Sequence, residues 1–347
     1  MRLLETTLLT GPYDWDERAL PRREYETRLE RVRAAMTQAG APALAIYGHP
    51  GNYSALAYLT NFVPKNGPAL ALVPREGPLR ILASGTPKMM DAAKRLTWVE
   101  EVRPLGNAPK TVAEFLGDGA ALGTWAFGAL PQALYGGIAK ALAPRVLLPL
   151  DEALDAARRR KSPCELELMR GAARFLAVAS DAFAKSLRAG SGVRSAALAA
   201  ERAAIAAGAQ DARVMASLSA GGVPLPLDAA SDERQLDPAN AGIAVQNHGY
   251  WASGTVTVAR HSGAAHAQAR AALAAALAAA KGGAHLPDGI AANAIGLALE
   301  EGPGDRLELG AVYAVTSSAT EGGANAYASA LIAVGDKGCE VLWQGAA

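Results

Sequence analysis

The stretch Arg158–Phe175 reads RRRKSPCELELMRGAARF, and it marks the point at which the chain changes its pattern. Ser162 is a favourable N-cap residue, Pro163 takes the first helical position, and Glu165 completes a capping box. Apolar side chains then follow at three- and four-residue steps, which is the period of one helix face. The stretch therefore predicts a long amphipathic helix that begins at Pro163 and opens the second half of the chain.

Short apolar strands alternate with helical segments before this helix. The first predicted helix is amphipathic, spans Pro21–Gly40 and ends at a glycine. Strands separated by glycine and proline turns, together with further helices, continue as far as Leu150. This alternation is typical of an α/β unit. Because 347 residues are many for one core, we expect two domains, residues 1–155 and 156–347.

The pattern after the long helix is different. A second helix is predicted over Ser191–Ala207, and short strands dominate after Gly208. Helices outside and a mostly antiparallel sheet within are the arrangement that this half of the chain indicates. The predicted strands are Ala212–Leu218, Gly242–Gln246, Gly249–Val258, Val312–Thr316 and Tyr327–Val334, and the further helices are Ala264–Lys281 and a short one around Asp288–Ala294.

Composition and charge exclude several classes of protein. Hydrophobic residues make up 50% and charged residues 19% of the chain, which is typical of a globular protein. A net charge of +1 gives no electrostatic basis for binding nucleic acid or an anionic membrane. An uncharged apolar run of about 20 residues is missing, so no membrane span is predicted. Two cysteines cannot form a disulfide framework, which favours the reducing cytoplasm.

Several stretches, taken together, resemble one family, the pita-bread hydrolases, which include Xaa-Pro aminopeptidases, prolidases, creatinase and methionine aminopeptidase. RRRKSPCELELMRGAARF resembles the helix that opens the catalytic domain of this family, and RLERVRAAMTQAGAPALAIYGHPGNYSALAYLTNF resembles the creatinase-type N-terminal domain. HGYWASGTVTV is similar to the ligand-bearing strand, NAIGLALEEGP to the histidine turn, and LELGAVYAVTSS and YASALIAVGDKGCEVL to the last two strand motifs. The resemblance implies an α/β creatinase-like N-terminal domain plus an α+β pita-bread domain, and a homodimer.

The resemblance also identifies the positions at which the family's metallopeptidases hold two divalent ions, with two aspartates, one histidine and two glutamates. The first aspartate falls on Gly242 or on Gln246, and the chain has no Asp or Glu between Pro238 and Pro287. Neutral oxygens cannot balance two divalent charges without carboxylates. We therefore predict no metal and no cofactor. The other four positions are held by Ser253, Asn293, Thr316 and Ser329.

Creatinase works without a metal, so its acid–base residues are the next to consider. The resemblance puts Leu227, in SAGGVPLPL, at the position of the loop histidine, and Glu300 at that of a second histidine. Ser329 takes the place of a glutamate, and Tyr327 that of the neighbouring arginine. The known chemistry of the family is therefore not expected here.

Two groups remain as candidate acid–base residues. His248, just before the Gly249–Tyr250 pair, is a candidate general base if its strand faces the cleft, and otherwise a histidine in an exposed turn. Glu300, which with Glu301 forms an acidic pair, is either a proton donor in the cleft or a solvated loop carboxylate. Hydroxyls at Ser253, Thr255, Thr316 and Ser329 would line the emptied pocket beside Asn293, Tyr327 and Leu227.

Three functions follow from this set of residues. The first is a pseudo-peptidase whose pocket binds a small polar metabolite, an amino acid or a short peptide. The second is a metal-independent enzyme of the hydrolase or lyase type, acting on a small amide, imide or amino-acid derivative with His248 or Glu300 as the acid–base group. An active dinuclear metallopeptidase is the third, and it requires the motif alignment to be wrong. Whether the protein is an enzyme is left open at this stage.

Overall fold

The computed structural model describes residues 15–227, 235–261 and 263–345. The contacts within the chain divide it into two compact units, residues 1–158 and 159–347. The first unit is built on a mixed six-stranded sheet, and the second on antiparallel sheets of four and five strands. The first unit therefore contains both parallel and antiparallel strand pairs, whereas the sheets of the second unit are antiparallel.

The first unit alternates helices with strands, as an α/β unit does. Its helices are α1 (Arg22–Gln38), α2 (Ser54–Thr60), α3 (Pro87–Ala93), α4 (Ala108–Leu116), α5 (Gln132–Leu142) and α6 (Asp151–Arg159), with short 3-10 turns at Lys94–Leu96 and Phe127–Ala129. Its strands are β1 (Ala43–Gly48), β2 (Ala69–Pro74), β3 (Arg80–Ala83), β4 (Glu101–Pro104), β5 (Ala121–Trp125) and β6 (Val146–Pro149).

The sheet of the first unit has the order β4-β3-β2-β1-β5-β6. β1 lies near its centre, antiparallel to β2 and parallel to β5, and every residue of β1 is buried. A strand with both faces covered reads as a continuous apolar run, and ALAIYG has this character. α4 and α5 cover one face through Val112 and Ile138, which pack with Leu70 and Leu72 of β2. The predicted α/β class of this half of the chain is confirmed.

The second unit has three helices among its described residues, α7 (Pro163–Arg188), α8 (Val193–Ala206) and α9 (Ala264–Ala279). No helix in the described part of the chain is long and apolar enough to cross a membrane. The strands are β7 (Asp211–Ser217), β8 (Pro224–Pro226), β9 (Ala239–Asn247), β10 (Tyr250–Val258), β11 (Ile290–Ala294), β12 (Gly302–Pro303), β13 (Val312–Glu321), β14 (Ala324–Val334) and β15 (Cys339–Gln344).

The start of α7 is determined by the predicted capping box. Glu165 N donates to Ser162 Oγ at 3.2 Å, and Ser162 N donates to a carboxylate oxygen of Glu165 at 3.0 Å. These two bonds satisfy amides that have no partner within the helix, and Pro163 at the first helical position has no N–H to satisfy. The prediction of a helix that begins at Pro163 is confirmed.

The two sheets of the second unit have the orders β10-β9-β7-β8 and β12-β11-β13-β14-β15, and their neighbouring strands are antiparallel. β9 and β10 form a hairpin closed by His248 and Gly249, with φ values of 46° and 82°. Positive φ at both turn residues is the signature of a two-residue type I′ turn. This turn sets the register of the hairpin, in which Ser253 lies opposite Ala244.

The predicted short helix around Asp288–Ala294 is wrong, because residues 290–294 form strand β11. Ile290 lies opposite Ser317 and Ala294 opposite Tyr313, so β13 supplies the pairing that holds this segment extended. The helix propensity of its alanines is a fraction of a kcal/mol per residue and is easily overridden by such pairing. Strands β8, β12 and β15 were also not predicted; β8 and β12 are very short, and β15 is largely exposed and polar at its ends.

The five-stranded sheet has one apolar face, which α9 covers. Leu273 of α9 packs against a core that includes Tyr313, Val315 and Ile332. Because side chains alternate along a strand, the residues between these point to the other face of the sheet. That other face carries the polar positions singled out from the sequence.

Candidate functional site

Four of the predicted pocket residues share the face of the five-stranded sheet that is opposite α9. Thr316 of β13 lies directly across from Ser329 of β14. Tyr327 is two residues from Ser329 on the same strand, and Asn293 of β11 is two residues from Ala291, which pairs with Thr316. Residues two apart on a strand and residues directly opposite on neighbouring strands lie on the same face. The strand register therefore brings these four positions together on one surface.

The four-stranded sheet contributes the other two predicted residues, Ser253 and Thr255. They are alternate residues of β10, and their partners across the hairpin are Ala244 and Gly242. Gln246, the second candidate for the missing first aspartate, pairs with Trp251 and lies on this same face. Gly242 and Gln246, the two alternatives for the position of the first aspartate, therefore both lie on the face of the sheet that carries Ser253.

Ser329 joins the two sheets through its hydroxyl. Thr255 N donates to Ser329 Oγ at 2.7 Å, and this hydroxyl donates to Thr255 O at 2.6 Å. Thr316 Oγ1 donates to the same oxygen at 3.2 Å. A serine hydroxyl has one hydrogen to donate and two lone pairs to accept with, so Ser329 uses its full capacity. The hydroxyls of Thr316 and Ser329, together with the backbone of Thr255, are named here the hydroxyl cluster.

A second set of polar contacts continues from the hydroxyl cluster along the same strands. Thr257 Oγ1 donates to Asn240 Oδ1 at 2.6 Å and accepts from Tyr327 N at 2.7 Å. Asn240 Nδ2 in turn donates to the carbonyls of Gly222 and Asn325. Thr257 and Asn240 are buried, and neither was singled out from the sequence. The alternation of threonines in GTVTV was the signal that could have indicated Thr257.

The positions at which the family implies metal ligands do not fit a dinuclear metal centre. The lone pairs of Ser329 are occupied by internal hydrogen bonds, and Asn293 Nδ2 donates to Leu299 O at 2.8 Å. The oxygens at these positions are neutral, whereas two divalent cations need carboxylates to balance their charge. Among residues 15–227, 235–261 and 263–345, no group of three or more His, Cys, Asp or Glu side chains is arranged to hold a metal ion.

The remaining predicted residues are His248, Glu300 and Leu227. His248 is half-buried in the turn of the hairpin, and Thr255 is seven residues further along β10, about 20 Å for an extended strand. Glu300 is exposed, and Leu227 directly follows β8, half-buried. The structure thus brings Thr255, Thr316 and Ser329 into direct contact, and the predicted acid–base roles of His248 and Glu300 stay predictions.

The neighbour of Glu300 has a partner that the sequence did not reveal. Lys161 Nζ lies 2.5 Å from Glu301 Oε2, and the two side chains are 1% and 0% exposed. A Cβ at Gly296 would lie 2.5 Å from this ammonium group and 2.8 Å from both carboxylate oxygens, so a larger residue there would displace the charged ends of the pair. The pair therefore ties the residue before the Ser162 cap to the segment that follows β11.

A second buried carboxylate lies in the first turn of α7. Tyr250 donates through its hydroxyl to Glu165 Oε1 at 3.0 Å, while the other oxygen of Glu165 accepts the amide of Ser162. Both side chains are about 1% exposed. The capping box thus also anchors the first residue of β10, which holds the hairpin against the start of α7. Hydrogen bonds satisfy this buried charge, as buried polar groups require.

Tyr327 lies on the face of the two sheets that carries Ser253, Thr316 and Ser329, named here the pocket face. Burial raises the pKa of its phenol further above the ordinary value of 10.0, and the group is protonated at neutral pH with or without this shift. A protonated phenol both donates and accepts hydrogen bonds. The predicted pocket residues therefore offer hydroxyls, an amide and a phenol. The ion pair of Asp211 and Arg213 lies across β9 on the face that carries Ser253.

Comparisons with known proteins agree with this architecture. Residues 28–160 match the creatinase/prolidase N-terminal domain. Among solved structures, the prolidase of Pyrococcus horikoshii is 15% identical, with a TM-score of 0.74 over 91% of this chain and 97% of that chain. The Xaa-Pro dipeptidase of Bacillus anthracis is 18% identical, with a TM-score of 0.73 over 92% of this chain and 97% of that chain. Escherichia coli aminopeptidase P is 13% identical, with a TM-score of 0.72 over 92% and 94%.

These matches identify the fold. The chain has the pita-bread fold, preceded by a creatinase-type N-terminal domain. The resemblance to the prolidases and Xaa-Pro aminopeptidases that the sequence motifs indicated is confirmed. No curated protein matches the sequence. At identities of 13–18%, the structural matches establish shared architecture and leave the activity to be inferred from the site.

Proposed function

We propose that this protein is a metal-independent member of the pita-bread group that binds a small polar metabolite, an amino acid or a short peptide without hydrolysing it. The observation that carries the proposal is the hydroxyl of Ser329, whose three hydrogen bonds to Thr255 and Thr316 use the valences that a metal ion would need. The neutral residues at the family's five ligand positions support the same conclusion, because two divalent ions held close together need carboxylates to balance their charge.

Ser253, Thr316 and Asn293 are the groups we propose as ligand contacts. Each is half-buried, so each retains some accessible surface, whereas Ser329 is almost fully buried. Hydroxyl and amide groups donate and accept hydrogen bonds without fixing the sign of the ligand's charge. A zwitterionic or neutral polar molecule fits such a surface best.

We favour binding over metal-independent catalysis because His248 is separated from the hydroxyl cluster and Glu300 is exposed. A general base acts within hydrogen-bond reach of the proton it removes, about 3 Å, or through one water. His248 lies about 20 Å along β10 from Thr255, counting seven residues of extended chain. His248 is therefore too far away for proton transfer to a ligand held at the hydroxyl cluster. Glu300 is exposed and directly follows Leu299, whose carbonyl accepts from Asn293.

The first experiment is native mass spectrometry of the purified protein after incubation with manganese, cobalt or zinc, combined with an assay of Xaa-Pro dipeptide hydrolysis. We expect neither stoichiometric metal binding nor turnover, and we expect any co-purifying ligand to appear as an added small mass. Two ions per chain together with dipeptide hydrolysis would contradict the proposal and would support an active metallopeptidase.

The second experiment measures the thermal stability of the protein with free amino acids and short peptides, because a ligand that binds only the native state raises Tm. We expect Thr316→Val, which keeps the shape of the side chain and removes its hydroxyl, to abolish the shift. Thr37→Val is the matched control, since it removes the hydroxyl of an exposed threonine in helix α1 of the first unit. An equal loss in both variants would mean that the pocket face is not the binding site.

We also infer a homodimer in the cytoplasm. The dimer follows from the resemblance to the creatinase and prolidase branch. The cytoplasm follows from the two cysteines, Cys164 and Cys339, which form no disulfide with each other. Light scattering coupled to size-exclusion chromatography tests the first inference. A monomeric mass across the concentration range would contradict it.

A further inference from the structure

A cavity of about 260 Å³ lies beside the first turn of α9. It is bounded by the end of β10, the turn between β13 and β14 and the start of α9, so it is further along β10 than the hydroxyl cluster. Four alanines, a proline and a glycine form its apolar wall. The polar lining consists of Asp237, Thr257, His261, His266, Glu321 and Asn325.

Two of these polar side chains are already engaged within the protein. Thr257 Oγ1 donates to Asn240 and accepts from the amide of Tyr327. Asn325 Nδ2 donates to Gly221 O at 3.1 Å, and its Oδ1 accepts from Thr320 Oγ1 at 2.8 Å. Thr257 and Asn325 therefore form part of the wall rather than free contacts for a ligand.

His266 is different, because its Nδ1 is buried and has no hydrogen-bond partner. The residue is only 7% exposed and lines the cavity from the third position of α9. Burial, and then the charge of Arg270, lower the pKa of His266, so the ring is neutral at pH 7 and offers one nitrogen as an acceptor. A buried polar atom without a partner is rare in folded proteins and requires an explanation, such as a bound molecule.

The carboxylates of the cavity indicate the charge of that molecule. Asp237 is partly balanced by Arg260, whose Nε lies 3.7 Å from Asp237 Oδ2. Glu321 is an exposed residue that accepts the amide of Ala265 through Oε2, and within the described residues no cation pairs with it. The lining thus combines one carboxylate without a paired cation with the imidazoles of His261, which is exposed, and His266, which is buried and neutral. Such a lining favours a cation that carries hydrogen-bond donors and disfavours an anion.

We propose that this cavity is a second binding site, which takes a short aliphatic molecule with a primary ammonium group. The ammonium group donates to Glu321 and to the imidazole of His266, and the aliphatic part lies against the alanine wall. A metal ion is the alternative for two histidines and two carboxylates. In the described part of the chain, however, no three such side chains are placed to share an ion.

The proposal is tested by titrating the protein with n-butylammonium chloride and following the imidazole signals by NMR. The chain has five histidines, so each signal can be assigned from a single replacement. We expect the His266 signal to shift with saturation, while 1-butanol binds at least about tenfold more weakly because a charge-assisted hydrogen bond is lost. Butyrate should not shift this signal. Equal shifts with butanol, or no saturable shift with the amine, would overturn the proposal.

Glu321→Gln is the variant that isolates the charge, since its amide oxygen can still accept from Ala265 N. We expect about tenfold weaker amine binding with an unchanged Tm. Asp336→Asn is the matched control, because it removes an exposed carboxylate elsewhere in the unit and should leave the affinity unchanged. Undiminished binding by Glu321→Gln would overturn the proposal, as would saturable zinc binding that depends on His261 and His266.

Discussion

Trp343 occupies the space that a side chain at position 254 would need. A Cβ built on Gly254 would lie 2.2 Å from Trp343 Cζ3 and 2.6 Å from Cη2, distances that real carbon atoms essentially never show. Gly254 belongs to β10, the edge strand of the four-stranded sheet, and Trp343 to β15, the last strand of the five-stranded sheet. The indole and the glycine are therefore matched in shape, and their contact joins the two sheets.

Gly254→Ala should destabilise the protein by about 1–3 kcal/mol, because a buried indole must move to admit one methyl group. Urea denaturation measures this change in the free energy of unfolding. In a Trp343→Leu background the same substitution should be much less costly. Gly136→Ala is the control for the change of residue type. Gly136 lies in α5, and a Cβ added there would meet open space, so this variant should be about 0.5–1 kcal/mol more stable than the parent. Equal losses in both backgrounds would contradict the steric argument.

Lys161→Met should destabilise the protein by about 3–5 kcal/mol, because it removes the cation from a buried carboxylate. The lost partner is 2.5 Å from Glu301 Oε2, and the side chains are 1% and 0% exposed. Chemical denaturation checks the loss, and the double variant with Glu301→Leu should recover a large part of it. Glu300→Gln, at the exposed neighbouring position, should change stability by less than about 0.5 kcal/mol. A small effect of Lys161→Met would mean that the pair is solvated in solution.

Ser329→Ala should destabilise the protein by about 1–3 kcal/mol, because it leaves the amide of Thr255 and the hydroxyl of Thr316 without their shared acceptor. The serine is 1% exposed, so water cannot readily replace its oxygen. Ser318→Ala, at an exposed position of β13, serves as the control in the same denaturation experiment. If the two variants were equally stable, the link between the sheets through Ser329 would contribute nothing.

The stability of the protein should fall as the pH drops below about 6.5, and His266 should account for part of the fall. Burial and the charge of Arg270 lower the pKa of this histidine from 6.5, so the unfolded chain takes up a proton at a pH where the folded chain does not. The contribution is fully present above pH 6.5 and is lost between 6.5 and the lower pKa of the folded state. Unfolding free energies at pH 7.5 and 5.5 should therefore differ less in His266→Phe than in the parent. His261→Gln, at an exposed position, should keep the parent's pH dependence.

Features that depend on a few adjacent residues could be predicted from the sequence. The capping box at Ser162 and Glu165 needs only the chemistry of one helical turn, and the structure reproduces it. Alternation of polar and apolar residues likewise places Ser253 and Thr255 on one face of a strand, whatever the strand packs against. The family resemblance also predicted which strands carry the pocket residues, because its motifs span nearly the whole chain.

Features that depend on distant residues could not be predicted in this way. Lys161 and Glu301 are 140 residues apart, and nothing in the local pattern of either indicates the other. Ser329 and Thr255 are 74 residues apart, so the hydrogen bond between them could not be predicted from the local pattern either. For residues 290–294 the local pattern was misleading. Their alanines favour a helix, but pairing with β13 holds them in a strand. In each case a tertiary contact decides the outcome.

The two-residue turn at His248 and Gly249 also limits how this hairpin can evolve. Side chains alternate with a period of two, so a one-residue insertion that shifted the register would exchange the two faces of β10. Ser253 and Thr255 would then leave the pocket face, and Gly254 would no longer meet Trp343. Related chains should therefore differ in the length of this turn by even numbers of residues, or carry a β-bulge that absorbs the odd one.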